Sequence, residues 1–96
     1  MNIAIVGATG NVGRKILEVL EKKELSIDNL YLLASSRSAG SKINFLGNEH
    51  EVLNLETFDF SKAKITFFAA GGKISEKFAE KAAEHSLVID NSSFYR

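Results

Sequence analysis

A glycine-rich segment near the start of the chain, GATGNVG, constrains the fold more than any other feature. An apolar run rich in β-branched residues, from Asn2 to Val6, precedes it and predicts a short buried strand. Apolar residues at helical spacing follow it and predict a helix that begins near Asn11. The apolar positions of that helix are Val12, Ile16, Val19 and Leu20. A strand, a tight turn and a helix in this order begin a βαβ unit.

The three glycines of this loop, Gly7, Gly10 and Gly13, indicate a site for a phosphate group. The free N–H groups and the positive dipole end of a helix N-terminus together bind anions such as a pyrophosphate. We expect Gly7 to permit the turn, Gly10 to let phosphate approach, and Gly13 to let the helix pack against the strand. Thr9 adds a hydroxyl group beside them. The alternative is a turn that binds nothing, but the position of the loop between a strand and a helix favours nucleotide binding.

The remainder of the chain alternates between strand and helix patterns. NLYLLAS, KITFFAA and LVID predict three more core strands, and KISEKFAEKAAEH predicts a helix with Ile74, Phe78 and Ala82 on its apolar side. KINFLGNEHEVLNL predicts a hairpin around Gly47 and Asn48, and LETFDFSKA an irregular connection with a helical turn. The predicted fold is therefore α/β, a Rossmann-like parallel sheet with flanking helices and a β-hairpin embellishment.

The end of the second predicted strand supplies a second candidate anion site. Enzymes that prefer NAD place a carboxylate there, which binds the ribose hydroxyls. This chain has Ser35, Ser36, Arg37 and Ser38 instead. The planar guanidinium of Arg37 suits the 2′-phosphate of NADP, which a carboxylate would repel. A solvated loop with an incidental arginine is the alternative, but the nearby glycine loop favours NADP as the cofactor.

Two more strand ends are expected at the same edge of the sheet. Small residues end the third core strand: Ala69, Ala70, Gly71 and Gly72. A polar cluster ends the fourth: Asp90, Asn91, Ser92 and Ser93, with Arg96 after it. The small residues would let a cofactor pass over the backbone at the topological switch point, and the polar cluster would orient a ligand. Both segments are also compatible with simple turns.

The composition narrows the classes of function. Twelve basic and twelve acidic residues leave no net charge, so we expect neither nucleic acid nor membrane as a partner. The chain has no cysteine, which excludes a disulfide, a thiolate metal site and a thiol nucleophile within it. His50 and His85 have no partners at metal-ligand spacing, so no metal site is predicted. The N-terminal apolar run is too short for a signal peptide, and we expect a cytoplasmic protein.

The 96 residues end soon after the apolar run LVID, without a further helix to close the fold. We therefore expect residues 1–96 to be the N-terminal NAD(P)-binding domain of a longer enzyme.

Four segments together resemble the N-terminal end of the aspartate-semialdehyde dehydrogenase family: IAIVGATGNVG, LLASSRSAG, FFAAGG and VIDNSSFYR. The resemblance covers the whole chain in order. It implies an NADP-binding domain joined to a catalytic and dimerisation domain that this chain lacks. It also implies NADPH-dependent reductive dephosphorylation of L-aspartyl 4-phosphate to the semialdehyde, on the route to lysine, threonine and methionine. The complete enzyme is then expected to be a homodimer or a dimer of dimers.

The resemblance also implies roles for individual residues. The cofactor pyrophosphate would be held by Thr9, Gly10, Asn11 and Val12. The 2′-phosphate would contact Arg37 and Ser38, Gly72 would lie near the cofactor, and Arg96 would bind substrate phosphate or inorganic phosphate. The family's catalytic cysteine and histidine match nothing in this chain, so no catalytic residue is predicted and the chain alone should be inert. Alternatives are an enzyme like N-acetyl-glutamyl-phosphate reductase and a non-catalytic dinucleotide-binding module.

Overall fold

The computed structural model describes residues 1–23, 27–70 and 72–90 of the chain. Its strands and helices are β1 (Asn2–Val6), α1 (Asn11–Lys23), β2 (Asn29–Ala34), β3 (Lys42–Phe45), β4 (Asn48–Asn54), β5 (Ile65–Phe68), α2 (Gly72–Ala83) and β6 (Leu87–Asp90). Two short 3₁₀ turns, Leu55–Thr57 and Phe60–Lys62, lie between β4 and β5, where an irregular connection with a helical turn was expected.

The six strands form one sheet in the order β3-β4-β2-β1-β5-β6. All neighbouring pairs are parallel except β3 and β4, which form an antiparallel hairpin. The chain passes from β1 to β2 on one side and later returns to place β5 on the other side of β1. This reversal is the topological switch point at which such sheets bind ligands. The predicted α/β, Rossmann-like fold is confirmed.

The helices cover opposite faces of the sheet. Successive residues of each strand point to opposite sides, so a single strand contributes side chains to the core on both faces. On one face Ile3 and Ile5 of β1 belong to the same core cluster as Ile16 and Leu20 of α1. On the other face lie the α2 residues and the aromatic side chains that follow β4: Phe58, Phe60, Phe78 and Ala82. Each large apolar side chain that is fully buried contributes about 1.5–3 kcal/mol relative to exposure.

The buried side of α1 differs from the prediction at one position. Val19 is 47% exposed, whereas Leu17 is only 5% exposed and packs in the core. A helix turns about 100° per residue, so Gly13, Ile16, Leu17 and Leu20 form one stripe and Val19 lies roughly 110° from its centre. The predicted stripe of α2 is confirmed at Phe78 and Ala82, while the side chain of Ile74 lies outside the described part.

The predicted hairpin is present, and its second strand is part of the main sheet. Strand β4 pairs in parallel with β2, with Val52 opposite Leu32, and the Val52 side chain is fully buried. No local sequence pattern predicted this pairing. The pairing places the end of β4 beside the end of β2, which extends the edge available for ligand binding.

The hairpin tip is conformationally strained. Leu46 has φ 51° and Gly47 has φ 81°, as in the type I′ turns that connect two antiparallel strands. Leucine in this left-handed region costs about 1–2 kcal/mol, and the Leu46 side chain is 57% exposed, so little burial offsets that cost. Asparagine tolerates the region much better.

We therefore expect Leu46→Asn to stabilise the chain by about 1 kcal/mol, measured by urea denaturation. Leu53→Asn is the matched control, because Leu53 is also partly exposed but lies within β4. That replacement should lower the free energy of unfolding. An equal loss of stability in both variants would contradict the strain argument.

Candidate nucleotide-binding site

The glycine loop reverses the chain between β1 and α1 within four residues. The amides of Gly7 and Ala8 both donate to the carbonyl oxygen of Leu33 in β2, at 2.8 and 3.2 Å. The amide of Gly10 donates back to the carbonyl oxygen of Gly7 at 3.1 Å. These bonds anchor the loop to the ends of the two strands, so that α1 begins at the edge of the sheet.

Two of the three glycines are required by the fold itself. Gly7 has φ 85°, and a Cβ there would lie 2.8 Å from the backbone nitrogen of Ala70. A Cβ on Gly13 would lie 2.3 Å from the carbonyl oxygen of Gly7 and 2.7 Å from the Cα of Ala8. Both distances are too short for any side chain. The expected roles of Gly7 in the turn and Gly13 in helix packing are thus confirmed.

Gly10 is different. A Cβ there would meet only the carbonyl oxygen of Gly7, at the ordinary contact distance of 3.5 Å, among the described residues. Its φ does not lie in the left-handed region that Gly7 occupies. Neither backbone strain nor packing therefore requires glycine at this position. The space over Gly10 is open to a ligand.

The N-terminus of α1 supplies donors to that space. The first N–H groups of an α-helix have no carbonyl partner inside the helix. Arg14 is the residue whose amide closes the first turn, at 3.0 Å from the carbonyl oxygen of Gly10. The first turn of α1 contains no acidic residue, so nothing on it opposes a bound anion. Asn11 and Val12, the first residues of the helix, lie at this end.

Half of the twelve predicted site residues border one cavity of about 290 Å³ at the carboxyl ends of the strands. It is lined by Val6, Gly7, Thr9, Gly10, Ala34, Ser35, Ser38, Leu55, Ala69 and Ala70. Six predicted residues belong to this lining: Gly7, Thr9, Gly10, Ser35, Ser38 and Ala70. Gly72 begins α2, and Arg96 lies outside the described residues. The first loop, the end of β2 and the end of β5 therefore meet at one place.

The serine-rich segment after β2 is a compact turn. The amides of Ser38 and Ala39 both donate to the carbonyl oxygen of Ser35 at 3.0 Å, and the Ser41 hydroxyl donates to the carbonyl oxygen of Ser38 at 2.6 Å. The amide of Gly40 bonds to the carbonyl oxygen of Val52, at 2.8 Å, which ties the turn to β4. The loop that carries the second candidate anion site is thus held in a defined shape.

The charge within this turn is available to a ligand. Ser36 and Arg37 are exposed, and they follow Ser35, which lines the cavity. Across residues 1–23, 27–70 and 72–90, no carboxylate forms an ion pair with Arg37. A bound phosphate would therefore not have to compete with an internal partner for the guanidinium group.

Leu55 is a member of the cavity lining that the sequence analysis missed. It is the first residue after β4, and its side chain is 3% exposed. It ends the segment predicted as a hairpin and begins the segment predicted as an irregular connection, and neither prediction placed it in a site. Its place in the site depends on the parallel pairing of β4 with β2, which local periodicity does not show.

The fold and this cavity define a dinucleotide-binding α/β domain. The chain belongs to the semialdehyde dehydrogenase family, because the model of that family's NAD binding domain matches residues 2–96. The resemblance noted in the sequence is thereby confirmed.

Similar proteins include an aspartate-semialdehyde dehydrogenase of Shewanella sp. (strain DB6705), 48% identical over 99% of this chain and 28% of the relative. Another, from Legionella pneumophila, is 50% identical over 100% of this chain and 28% of the relative. The chain thus spans less than a third of the length of these relatives.

Solved structures of similar proteins support the same family assignment. Aspartate semialdehyde dehydrogenase II of Vibrio cholerae, complexed with ASA, superimposes with a TM-score of 0.89 at 50% identity, covering 94% of this chain and 30% of that one. A probable aspartate-semialdehyde dehydrogenase from Pseudomonas aeruginosa gives a TM-score of 0.91 at 39% identity, covering 96% and 28%.

The described residues contain no helix long and apolar enough to cross a membrane. The same residues contain no group of three or more histidine, aspartate or glutamate side chains placed to hold a metal ion.

Proposed function

We propose that this chain is the N-terminal NADP-binding domain of an aspartate-semialdehyde dehydrogenase. The complete enzyme would use NADPH to reduce L-aspartyl 4-phosphate to L-aspartate 4-semialdehyde with release of inorganic phosphate, in lysine, threonine and methionine biosynthesis. By the same resemblance it would be a cytoplasmic homodimer or dimer of dimers. The observation that carries the proposal is the meeting of the Gly10 loop and the Ser35–Ser38 turn at one cavity, in a chain of this family.

The geometry supports one orientation of the cofactor. The pyrophosphate would lie over Gly10, where Thr9 and the amides of Asn11 and Val12 can donate to it. The adenosine half would lie toward the turn after β2, and the nicotinamide half toward the other side of β1, near Ala70 at the end of β5.

Within this proposal the chain binds and orients, and it performs no covalent step itself. NADPH, when bound, supplies the hydride. The cysteine and histidine that act on the acyl group would lie in the remainder of the enzyme, since the chain has no cysteine. Gly72 would lie near the cofactor, and Arg96, which is outside the described residues, would bind the phosphate of the substrate or inorganic phosphate.

Preference for NADP over NAD is supported by charge. The end of β2 has no carboxylate, and its exposed Arg37 lacks an ion-pair partner among the described residues. The guanidinium group can hold two oxygens of a 2′-phosphate, with the Ser36 and Ser38 hydroxyls beside it. NAD has no such phosphate and would gain nothing from this contact.

Arg37→Ala is expected to weaken NADPH binding to the full-length enzyme far more than NADH binding. A charge-assisted hydrogen bond contributes about 1.5–3 kcal/mol, so the preference for NADPH should fall roughly ten- to a hundredfold. Calorimetric titration with each cofactor measures this ratio. Raising the salt concentration should weaken NADPH binding in the wild type more than in the variant.

Lys42→Ala is the matched control for this experiment. It removes the same charge from a nearby exposed position, where Lys42 lies 3.7 Å from Glu49, and it should leave the cofactor preference unchanged. Ser36→Ala should have a smaller effect than Arg37→Ala because it removes one neutral donor. Equal loss of both cofactors in Arg37→Ala would mean that the side chain supports the loop and does not bind the 2′-phosphate.

A further inference from the structure

Leu55 is placed on the adenosine side of the cavity by the order of the strands. Strand β4 lies next to β2, with Asn54 opposite Ala34, so Leu55 and Ser35 begin the segments that follow two neighbouring strands. Both residues line the cavity of about 290 Å³. Leu55 is the largest apolar side chain of that lining.

The 3₁₀ turn that carries Leu55 is held by the core packing of Leu55 and Phe58 and by hydrogen bonds to the residue before it, Asn54. The Asn54 side-chain oxygen accepts a hydrogen bond from the Glu56 amide at 3.0 Å. The Asn54 carbonyl oxygen accepts another from the Thr57 hydroxyl at 3.3 Å, and the amide of Phe58 closes the turn on Leu55 with a long bond of 3.4 Å. Because a three-residue turn has so few bonds of its own, the Asn54 cap fixes its geometry together with the core packing.

We propose that Asn54 is a positioning residue for cofactor binding, which holds Leu55 where the adenine ring packs against it. The inference rests on the proposed NADP site. In NADP the adenine and the 2′-phosphate are attached to the same ribose, so a phosphate held at Arg37 places the base within a few ångströms of the turn after β2. The flat, apolar faces of adenine require an apolar surface there, and the edge of the otherwise buried Leu55 that borders the cavity provides it.

The experiment measures binding of adenosine 2′,5′-bisphosphate to the full-length enzyme by calorimetry. This probe contains the base and the 2′-phosphate but no nicotinamide. Asn54→Ala should weaken it about fivefold, because the turn then holds Leu55 in the binding geometry for only part of the time. Asn54→Asp keeps a side-chain oxygen that accepts from the Glu56 amide, and it should restore affinity to within about twofold of the wild type.

Asp59→Ala is the matched control. Asp59 caps the second 3₁₀ turn in the same way, accepting from the Ser61 amide at 3.0 Å, and it does not line the cavity. Its replacement should leave the affinity for the probe unchanged. A second measurement separates positioning from general destabilisation: Asn54→Ala should raise the KM for NADPH and leave kcat unchanged.

The possible outcomes are distinct. If the wild type binds neither the probe nor NADPH, the proposed function itself fails. If the wild type binds both and Asn54→Ala binds the probe equally well, only the role of Asn54 is disproved. Equal losses in Asn54→Ala and Asp59→Ala would also overturn it, because the effect would then come from loss of a cap in general.

Discussion

Replacing Gly13 with alanine is expected to destabilise the chain strongly. The new Cβ would lie 2.3 Å from the carbonyl oxygen of Gly7 and 3.0 Å or less from two backbone atoms of Ala8. None of these atoms belongs to a flexible side chain, so α1 would have to move away from β1. That movement would open the core between Ile5 and Ile16. Overpacking of this kind costs typically about 1–3 kcal/mol, and we expect the upper end of that range or more here.

Thermal denaturation followed by circular dichroism tests this expectation, with Gly10→Ala as the control. Both variants add one methyl group to the same loop, but the Cβ of residue 10 has an ordinary contact of 3.5 Å with its nearest neighbour. Gly10→Ala should therefore melt within a few degrees of the wild type, since its effect on stability is within about 1 kcal/mol. A Gly13→Ala variant as stable as Gly10→Ala would show that helix and loop are not packed as described.

The glycine loop was predictable from the sequence because its constraints are local. A strand, three glycines at equal spacing and an amphipathic helix follow one another within 23 residues. The predicted division of roles follows from geometry: Gly7 lies in the turn with φ 85°, and Gly13 lies against the loop backbone. The start of α1 at Asn11 was predicted for the same reason.

Features that depend on contacts distant in sequence were not predicted. Val19 and Leu17 are both apolar residues on α1, and only the position of the sheet decides which one is buried. The pairing of β4 with β2 joins residues 20 positions apart, such as Leu32 and Val52, and no local pattern specifies it. Leu55 lies at the cavity because of that pairing. The sequence therefore predicted the side of the site where we place the pyrophosphate better than the side where we place the adenine.

The proposed site combines a rigid part and an open part. The loop is closely packed at Gly7 and Gly13, because a single added carbon at either position meets backbone atoms at 2.8 Å or less. The space over Gly10 is filled by none of the described side chains. A preorganised loop with space beside the first amides of α1 can bind an anion without first paying for rearrangement. This contrast makes Gly10 the position at which binding and folding can be separated experimentally.

Gly10→Val is expected to abolish NADPH binding to the full-length enzyme and to leave the fold largely intact. Gly10 precedes α1 as its N-cap, where valine costs about 1 kcal/mol relative to the preferred residues, and its φ imposes no further penalty. The branched side chain would occupy the space in which a pyrophosphate meets the amides of Asn11 and Val12. Losing two charge-assisted hydrogen bonds of about 1.5–3 kcal/mol each lowers affinity at least about a hundredfold.

The measurement pairs calorimetric titration with the melting temperature in the presence and absence of NADPH. The wild type should be stabilised by the cofactor, because a ligand that binds only the folded state raises the melting temperature. Gly10→Val should melt close to the unliganded wild type and show no shift, and Gly10→Ala should bind with intermediate affinity. This graded series follows from the volume added over the loop. A folded Gly10→Val variant with unchanged affinity would mean that the loop is only a turn and that the pyrophosphate binds elsewhere.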